Sequence, residues 1–157
     1  IEYADEHDRP LLIAPPSEAF PLRRKAVGAF LCDRRGRAFV RRRASERGVE
    51  TWDISAETYV RSGEAREEAV GRAVRETLGL SNVPFGEAVP AAFKPAGGNV
   101  SLTLFLAELP GILPPDSLRE GHFLDREELV GMAETFPDLF SPVLLWAIGT
   151  GCLWKRR

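Results

Sequence analysis

The stretch "GEAREEAVGRAVRETLGL", residues 63–80, has the spacing of an amphipathic helix that ends at a glycine. Ser62 stands directly before it and is the expected N-cap. Acidic residues follow in the first turn, where the helix dipole favours negative charge, and Gly79 supplies a left-handed stop. The sequence therefore predicts one well-defined helix at the centre of the chain.

Helical geometry assigns these side chains to faces. At about 100° per residue, Ala73, Val74 and the other small apolar residues share one broad face, which we expect to pack on the core. Arg72 falls on the opposite, solvent-facing side, and Glu76 lies at the edge, one turn from Arg72. Taken alone, a helix with such a charged face is ordinary solvated surface and implies no function.

Apolar and β-prone segments surround this helix. The predicted elements are two hairpins, over 25–32 with 37–43 and over 88–94 with 99–109, and two later helices, about 125–133 and about 141–148. Asp125 is the expected N-cap of the first of these helices. Strands, a helix, more strands and then helices indicate a mixed α+β domain.

The composition fits a single domain, residues 1–157. A chain of 157 residues with 44% hydrophobic content can bury one full core and is too short for two typical domains. The net charge of −2 gives no bulk attraction to nucleic acid or to an acidic membrane, so neither partner is expected. The apolar residues 140–157 fall short of the ~20 residues that cross a bilayer, and we expect them to pack on the core.

The cysteines and the first residues favour the cytoplasm. Cys32 and Cys152 are far apart and show neither a disulfide framework nor metal-binding spacing. Residues 1–12 lack the basic start and apolar run of a signal peptide. We therefore expect a cytoplasmic protein. Cys32 stands inside an apolar run and is expected to be a core thiol.

The order of residues from Trp52 to Leu80 resembles the Nudix box, G-x5-E-x7-R-E-U-x-E-E-x-G-U, in which U is aliphatic. The aligned positions are Thr58, Glu64, Arg72, Ala73, Val74, Glu76, Thr77, Gly79 and Leu80. Six of these nine agree with the box. The segments "EYADEHDRPL", "WDIS" and "HFLDREEL" are similar to the isopentenyl-diphosphate-isomerase-like branch, so the resemblance spans roughly residues 2–145.

This resemblance implies a fold and a reaction. The fold is an α/β/α sandwich, with a mixed sheet between the box helix and the C-terminal helix. The reaction is hydrolysis of a diphosphate with Mg²⁺ or Mn²⁺, which prefer charged oxygen ligands. The two box carboxylates that stand one turn apart are Ala73 and Thr77 here. We therefore expect the metal to bind weakly, because a methyl and a hydroxyl replace two charges.

The remaining acids define the expected site. The resemblance assigns Glu76, Arg72 and Glu64 to catalysis, with Arg72 orienting the carboxylates. Glu76 is the first expected metal ligand. Glu57, in the altered loop before the helix, and Glu120, where some relatives carry a further catalytic Glu, are the other expected ligands. For Glu120 a solvated loop acid is the alternative.

Substrate contacts are expected from Arg41, Arg43 and Trp52. Arg41 and Arg43 share one side of a predicted strand, where they would meet a phosphate or solvate an exposed edge. Trp52 would stack on a base, or belong to the core as strand aromatics commonly do. An isomerase is not expected, because such enzymes require a reactive Cys and a His-rich metal site, and the chain has two His residues.

The expected function is a divergent Nudix hydrolase that acts, weakly if at all, on a nucleoside-diphosphate-linked or similar small phosphoanhydride. The partner is therefore a small phosphorylated, nucleotide-like molecule. The alternative is a catalytically silent Nudix domain that binds a ligand or a protein. A homodimer is left open, since the apolar C-terminal stretch would also suit an oligomeric scaffold.

Overall fold

The chain forms strands and helices in the order that the sequence predicts. The computed structural model describes residues 2–4, 10–13, 23–44, 48–91, 100–109 and 121–154. The strands are β1 Glu2–Ala4, β2 Pro10–Ile13, β3 Arg23–Cys32, β4 Ala38–Ala44, β5 Glu50–Asp53, β6 Ala56–Tyr59, β7 Phe85–Ala91, β8 Val100–Glu108 and β9 Gly121–Leu124. The helices are α1 Arg66–Leu78, α2 Arg126–Thr135 and α3 Pro142–Thr150, with 3₁₀ turns at Pro137–Leu139 and Cys152–Trp154.

Strand β3 is the centre of the sheet. Along one edge it pairs in parallel with β8, from Arg24 opposite Val100 to Cys32 opposite Glu108. Its other partners, β1, β6 and β4, are all antiparallel and follow one another along the strand. Strand β7 extends the sheet beyond β8, β2 extends it beyond β1, and β5 and β9 flank β4. The sheet is therefore mixed, as predicted.

Alternate residues of β3 face two different cores. Val27, Ala29 and Leu31 belong to the cluster that α1 covers. Ala26 and Phe30 belong to the cluster that contains residues of α2 and α3. Because strand side chains alternate between faces, helices cover both sides of the sheet. This arrangement confirms the predicted α/β/α sandwich.

Helix α1 ends where predicted but starts later. Gly79 has φ 68° and donates its backbone N–H to the Arg75 carbonyl, which confirms the left-handed stop. The N-cap is Ala65, without a side-chain cap, so the prediction of Ser62 is wrong. The placement of Arg72 toward solvent is also wrong, because Arg72 is buried together with Ala73 and Val74.

The other predicted elements are confirmed with small differences. Strands β7 and β8 form the second hairpin, whereas β3 and β4 share only the pair Cys32–Ala38 before they separate. Asp125 caps α2 by accepting the Glu128 N–H at 2.8 Å. Cys32 is at the end of β3, partly exposed but packed against the core cluster that contains residues of α2 and α3, so the prediction of a core thiol is confirmed only in part. Within the described ranges no helix is long and apolar enough to span a bilayer.

Candidate active site

Arg72 joins α1 to the loop that precedes it. Its Nε donates to Glu64 Oε2 and its Nη2 to Glu64 Oε1, both at 3.0 Å. The same guanidinium donates to the Tyr59 carbonyl at 2.8 Å and to Thr58 Oγ1 at 3.3 Å. We call Arg72, Glu64, Thr58 and Tyr59 the Arg72 clamp. The clamp fixes residues 58–64 against the first half of the helix.

The burial of Arg72 follows from these bonds. Its side chain is 8% exposed and that of Glu64 14% exposed, so each charge needs the other. Hydrogen bonds from Arg72 hold the pKa of Glu64 below its usual value, and the bond to Glu64 raises the pKa of Arg72. Glu64 Oε1 also accepts the Arg61 N–H at 3.0 Å, which closes the turn that begins the loop.

Glu76 lies at the outer side of the clamp. Its Oε2 is 3.6 Å from Arg72 Nη1, and its side chain is 57% exposed. The structure thus brings together Arg72, Glu64 and Glu76, the three residues that the resemblance assigns to catalysis. In this arrangement both carboxylates lie against one guanidinium.

A second charged group, which we call the Asp53 cluster, consists of Asp53, Glu57, Arg41 and Arg43. Asp53 is opposite Arg41 in the β4–β5 pair, and its Oδ2 is 3.4 Å from Arg43 Nη1. Burial, with a further contribution from the Asp53 charge, raises the pKa of Glu57 to about 7, although Arg43 and Arg41 oppose the shift. The cluster therefore holds two acids and two bases at the edge of the sheet.

The two groups use different faces of β6. Thr58 contacts Arg72, and strand side chains alternate, so the neighbouring Glu57 points to the other face. Glu57 thus does not share the clamp with Glu76. Trp52 is placed apart from both, with the Arg42 guanidinium 4.9 Å above its ring and His122 edge-on at 5.5 Å. Glu120 lies outside the described residues.

Asp53 and Ser141 were not among the predicted site residues. Ser141 Oγ donates to Asp53 Oδ1 at 2.7 Å and accepts the Leu144 N–H at 3.2 Å, so one hydroxyl connects the Asp53 cluster to the start of α3. Asp53 Oδ1 also accepts the Ile54 N–H at 2.8 Å. The sequence carries signals for both residues: an acid between strand residues in "TWDIS", and a serine before Pro142 at a helix start.

The comparison with known families agrees with this geometry. Residues 22–144, most of the chain, match the sequence profile of the NUDIX domain. The chain belongs to the NUDIX domain family. No curated protein matches the sequence. The Arg72 clamp and helix α1 both lie within the matched residues.

Solved structures share the Nudix fold at low sequence identity. DR0079 from Deinococcus radiodurans is similar with a TM-score of 0.69 and 22% identity over 98% of each chain. The MutT protein from Methanosarcina mazei Go1 gives 0.61 and 18%, over 82% of this chain and 94% of that one. The Ap4A hydrolase from C. elegans gives 0.58 and 14%, over 83% and 98%.

The residues aligned with the two box carboxylates do not fit a divalent metal. Ala73 is 2% exposed inside the α1 core cluster, and Thr77 offers only a neutral oxygen. Among the residues that the structure describes, no group of three or more His, Cys, Asp and Glu side chains has the arrangement of a metal site. At the two positions aligned with box carboxylates the chain thus offers a buried methyl group and a neutral hydroxyl.

Proposed function

We propose that this Nudix protein binds a small phosphoanhydride, nucleoside-diphosphate-linked or similar, and hydrolyses its diphosphate slowly. The observation that carries the proposal is the intact Arg72 clamp beside the uncharged positions Ala73 and Thr77. The Arg72–Glu64 pair keeps the loop fixed, although burying an ion pair costs free energy. The loop and helix α1 therefore retain an arrangement that can hold a ligand. Any Mg²⁺ or Mn²⁺ binds weakly, because few charged oxygens remain.

The residues divide into three roles in this proposal. Arg72 and Glu64 position the loop, and Glu76 is the carboxylate that faces the reacting phosphates. Arg41 and Arg43 lie with Glu57 on the other face of β6, so they would meet phosphate charge there and not beside Glu76; Arg43 is half-exposed. Glu57 and Glu120 remain candidates for holding a cation. The Trp52 ring packs against the base, taking the place of the Arg42 guanidinium on its face.

The second candidate is a silent Nudix domain that binds a ligand or a protein partner without hydrolysis. The burial of Ala73 favours this second candidate. Position 73 is part of the hydrophobic core and does not face an open surface where a metal ligand would stand. Cytoplasmic location, self-association and a single domain over residues 1–157 stay predictions from the sequence. So does the nearness to the isopentenyl-diphosphate-isomerase-like branch.

Hydrolysis is tested with purified protein, Mg²⁺ or Mn²⁺, and a panel of nucleotide sugars, ADP-ribose and nucleoside di- and triphosphates. Ap4A joins the panel because one structural neighbour is named an Ap4A hydrolase. Slow turnover that Glu76→Gln abolishes supports the proposal. Glu68→Gln, an exposed acid on the same helix, is the matched control and should keep the rate.

Binding without turnover would favour the second candidate. It is measured as ligand-dependent thermal stabilisation, since a ligand that binds only the folded state raises the melting temperature. Absence of both turnover and stabilisation across the panel would contradict the first proposal and the ligand-binding form of the second. Restoring one charge with Thr77→Glu should strengthen Mg²⁺ binding relative to Thr77→Gln, which matches it in shape without the charge.

A further inference from the structure

A cavity among the described residues lies away from the Nudix box. It has a volume of about 590 Å³ and is bounded by the β3–β4 turn, the end of β8, the start of α2 and the 3₁₀ turn Cys152–Trp154. The box loop is at the other end of β3, where Tyr59 pairs with Ala26, whereas the cavity touches Cys32. These ends are about 20 Å apart at ~3.3 Å per strand residue. The cavity is thus a separate site.

The inner wall of this cavity is apolar. Leu106 and Ala107 of β8 and Leu153 and Trp154 of the 3₁₀ turn line it. The volume falls within the range of about 300–1,000 Å³ that is typical of small-molecule sites. A ligand of the size of one or two rings would fit against this wall.

One donor of a lining residue has no acceptor within the part of the chain that the structure describes. The indole Nε1 of Trp154 is buried, and no partner for it exists among the residues that the structure describes. Buried donors in proteins are normally paired, so an orphaned one beside a cavity marks a place for an acceptor on a ligand. The Arg126 guanidinium is 5.3 Å above the Trp154 ring and holds its orientation.

The rim of the cavity is acidic on balance. Glu108, Asp125, Glu127 and Asp33 line it together with the bases Arg35 and Arg126. Asp33 is already engaged by Arg37, at 2.6 Å, and Asp125 by the cap of α2. Glu108 and Glu127 remain as acceptors at the mouth. An anionic ligand would meet like charges here, whereas N–H donors on a neutral ligand would be accepted.

We propose that this cavity, which we call the β3-end cavity, binds a neutral aromatic carboxamide or a molecule of the same chemistry. The ring occupies the apolar wall, the carbonyl accepts the Trp154 indole N–H, and the amide N–H groups donate to the acidic rim. The site is independent of the Nudix box, so failure of either proposal leaves the other standing.

The test uses three probes of similar shape: benzamide, toluene and benzoate. Ligand-observed NMR titration should show benzamide binding more tightly than both others. Trp154→Phe keeps an aromatic ring and removes the N–H, so it should weaken benzamide by about fivefold to tenfold and leave toluene unchanged. Trp146→Phe, on α3 and outside the cavity lining, is the matched control and should change nothing.

The location is tested separately by blocking and by labelling. Leu106→Trp fills the cavity and should abolish benzamide binding. Because that variant risks misfolding, the intact chain provides a second readout: Cys32 lines the cavity and is partly exposed, so benzamide should slow its reaction with N-ethylmaleimide. Absence of benzamide binding, equal affinities in Trp154→Phe and the unmodified chain, or unprotected Cys32 would each overturn the proposal.

Discussion

The guanidinium of Arg72 donates to both carboxylate oxygens of Glu64, eight residues earlier, with two bonds of 3.0 Å. This bidentate pair connects the interior of helix α1 to a loop outside it. Because both side chains are largely buried, neither charge has water as a substitute partner. The pair therefore holds the loop before α1 in a fixed position against the helix.

Arg72→Met should destabilise the protein by about 3 kcal/mol, because it leaves the Glu64 carboxylate buried without its partner. Arg75→Met changes an exposed arginine one turn later on the same helix and should cost less than about 0.5 kcal/mol. Urea unfolding of the two variants measures the difference. Equal losses of unfolding free energy in the two variants would mean that Arg72 contributes no more to stability than an exposed arginine.

Ala73→Glu should destabilise the protein by about 3 kcal/mol or more, because position 73 is 2% exposed among apolar side chains. Ala65→Glu, at the exposed start of the same helix, should be nearly neutral. Thermal unfolding of both variants is the measurement. A stable Ala73→Glu protein would show that the side chain reaches solvent, and the assignment of position 73 to the core would fail.

Stability should depend on pH through Glu57. Its pKa is about 7 in the folded protein and 4.5 in a free carboxyl group, so folding favours the protonated form. The contribution of Glu57 to the free energy of unfolding is present below about pH 4.5 and is lost as pH rises through 7. Its upper limit is on the order of 3 kcal/mol. Glu57→Gln should therefore stabilise the protein at pH 8 relative to the unmodified chain, and not at pH 4.

Urea unfolding at several pH values checks this prediction. The exposed Glu68→Gln should run parallel to the unmodified chain across the same range. A Glu57→Gln curve that also stays parallel would indicate that Glu57 has an ordinary pKa in the folded protein.

Ser141→Ala should cost about 1–2 kcal/mol, because it removes the N-cap of α3 and the hydrogen bond to the buried Asp53. Ser62→Ala is the matched change at an exposed serine before α1 that caps nothing, and it should be within about 0.5 kcal/mol of the unmodified chain. Chemical denaturation of both variants decides the matter. A larger loss for Ser62 would restore it as a functional cap.

Helix ends that depend on neighbouring residues in the chain could be predicted from the sequence. Gly79 ends α1 because the left-handed conformation suits glycine, and Asp125 caps α2 because its carboxylate reaches the Glu128 N–H. Ser62 failed as a cap because residues 61–64 form a turn of their own, in which Glu64 accepts the Arg61 N–H. A serine that caps a helix and a serine inside such a turn have similar sequence surroundings.

The burial of Arg72 could not be predicted from helical periodicity. Helical spacing assigned it to solvent, but its partners Glu64 and Tyr59 lie before the helix and reach it only after the loop folds back. The link between Asp53 and Ser141, 88 residues apart, is equally invisible to local patterns. The resemblance to the Nudix box did single out Arg72 and Glu64, which the structure joins, because a motif records tertiary partners that spacing alone does not. Their role in catalysis stays a prediction.

The contact of Ser141 with β5 has a consequence for synthesis on the ribosome. Trp52 pairs in parallel with Phe140, and the Trp52 carbonyl accepts the Ser141 N–H at 2.8 Å. Until Phe140 and Ser141 emerge from the exit tunnel, these backbone groups of Trp52 lack their native partners. An open strand edge invites pairing with another nascent chain. In the folded protein Phe140 and Ser141 therefore protect that edge.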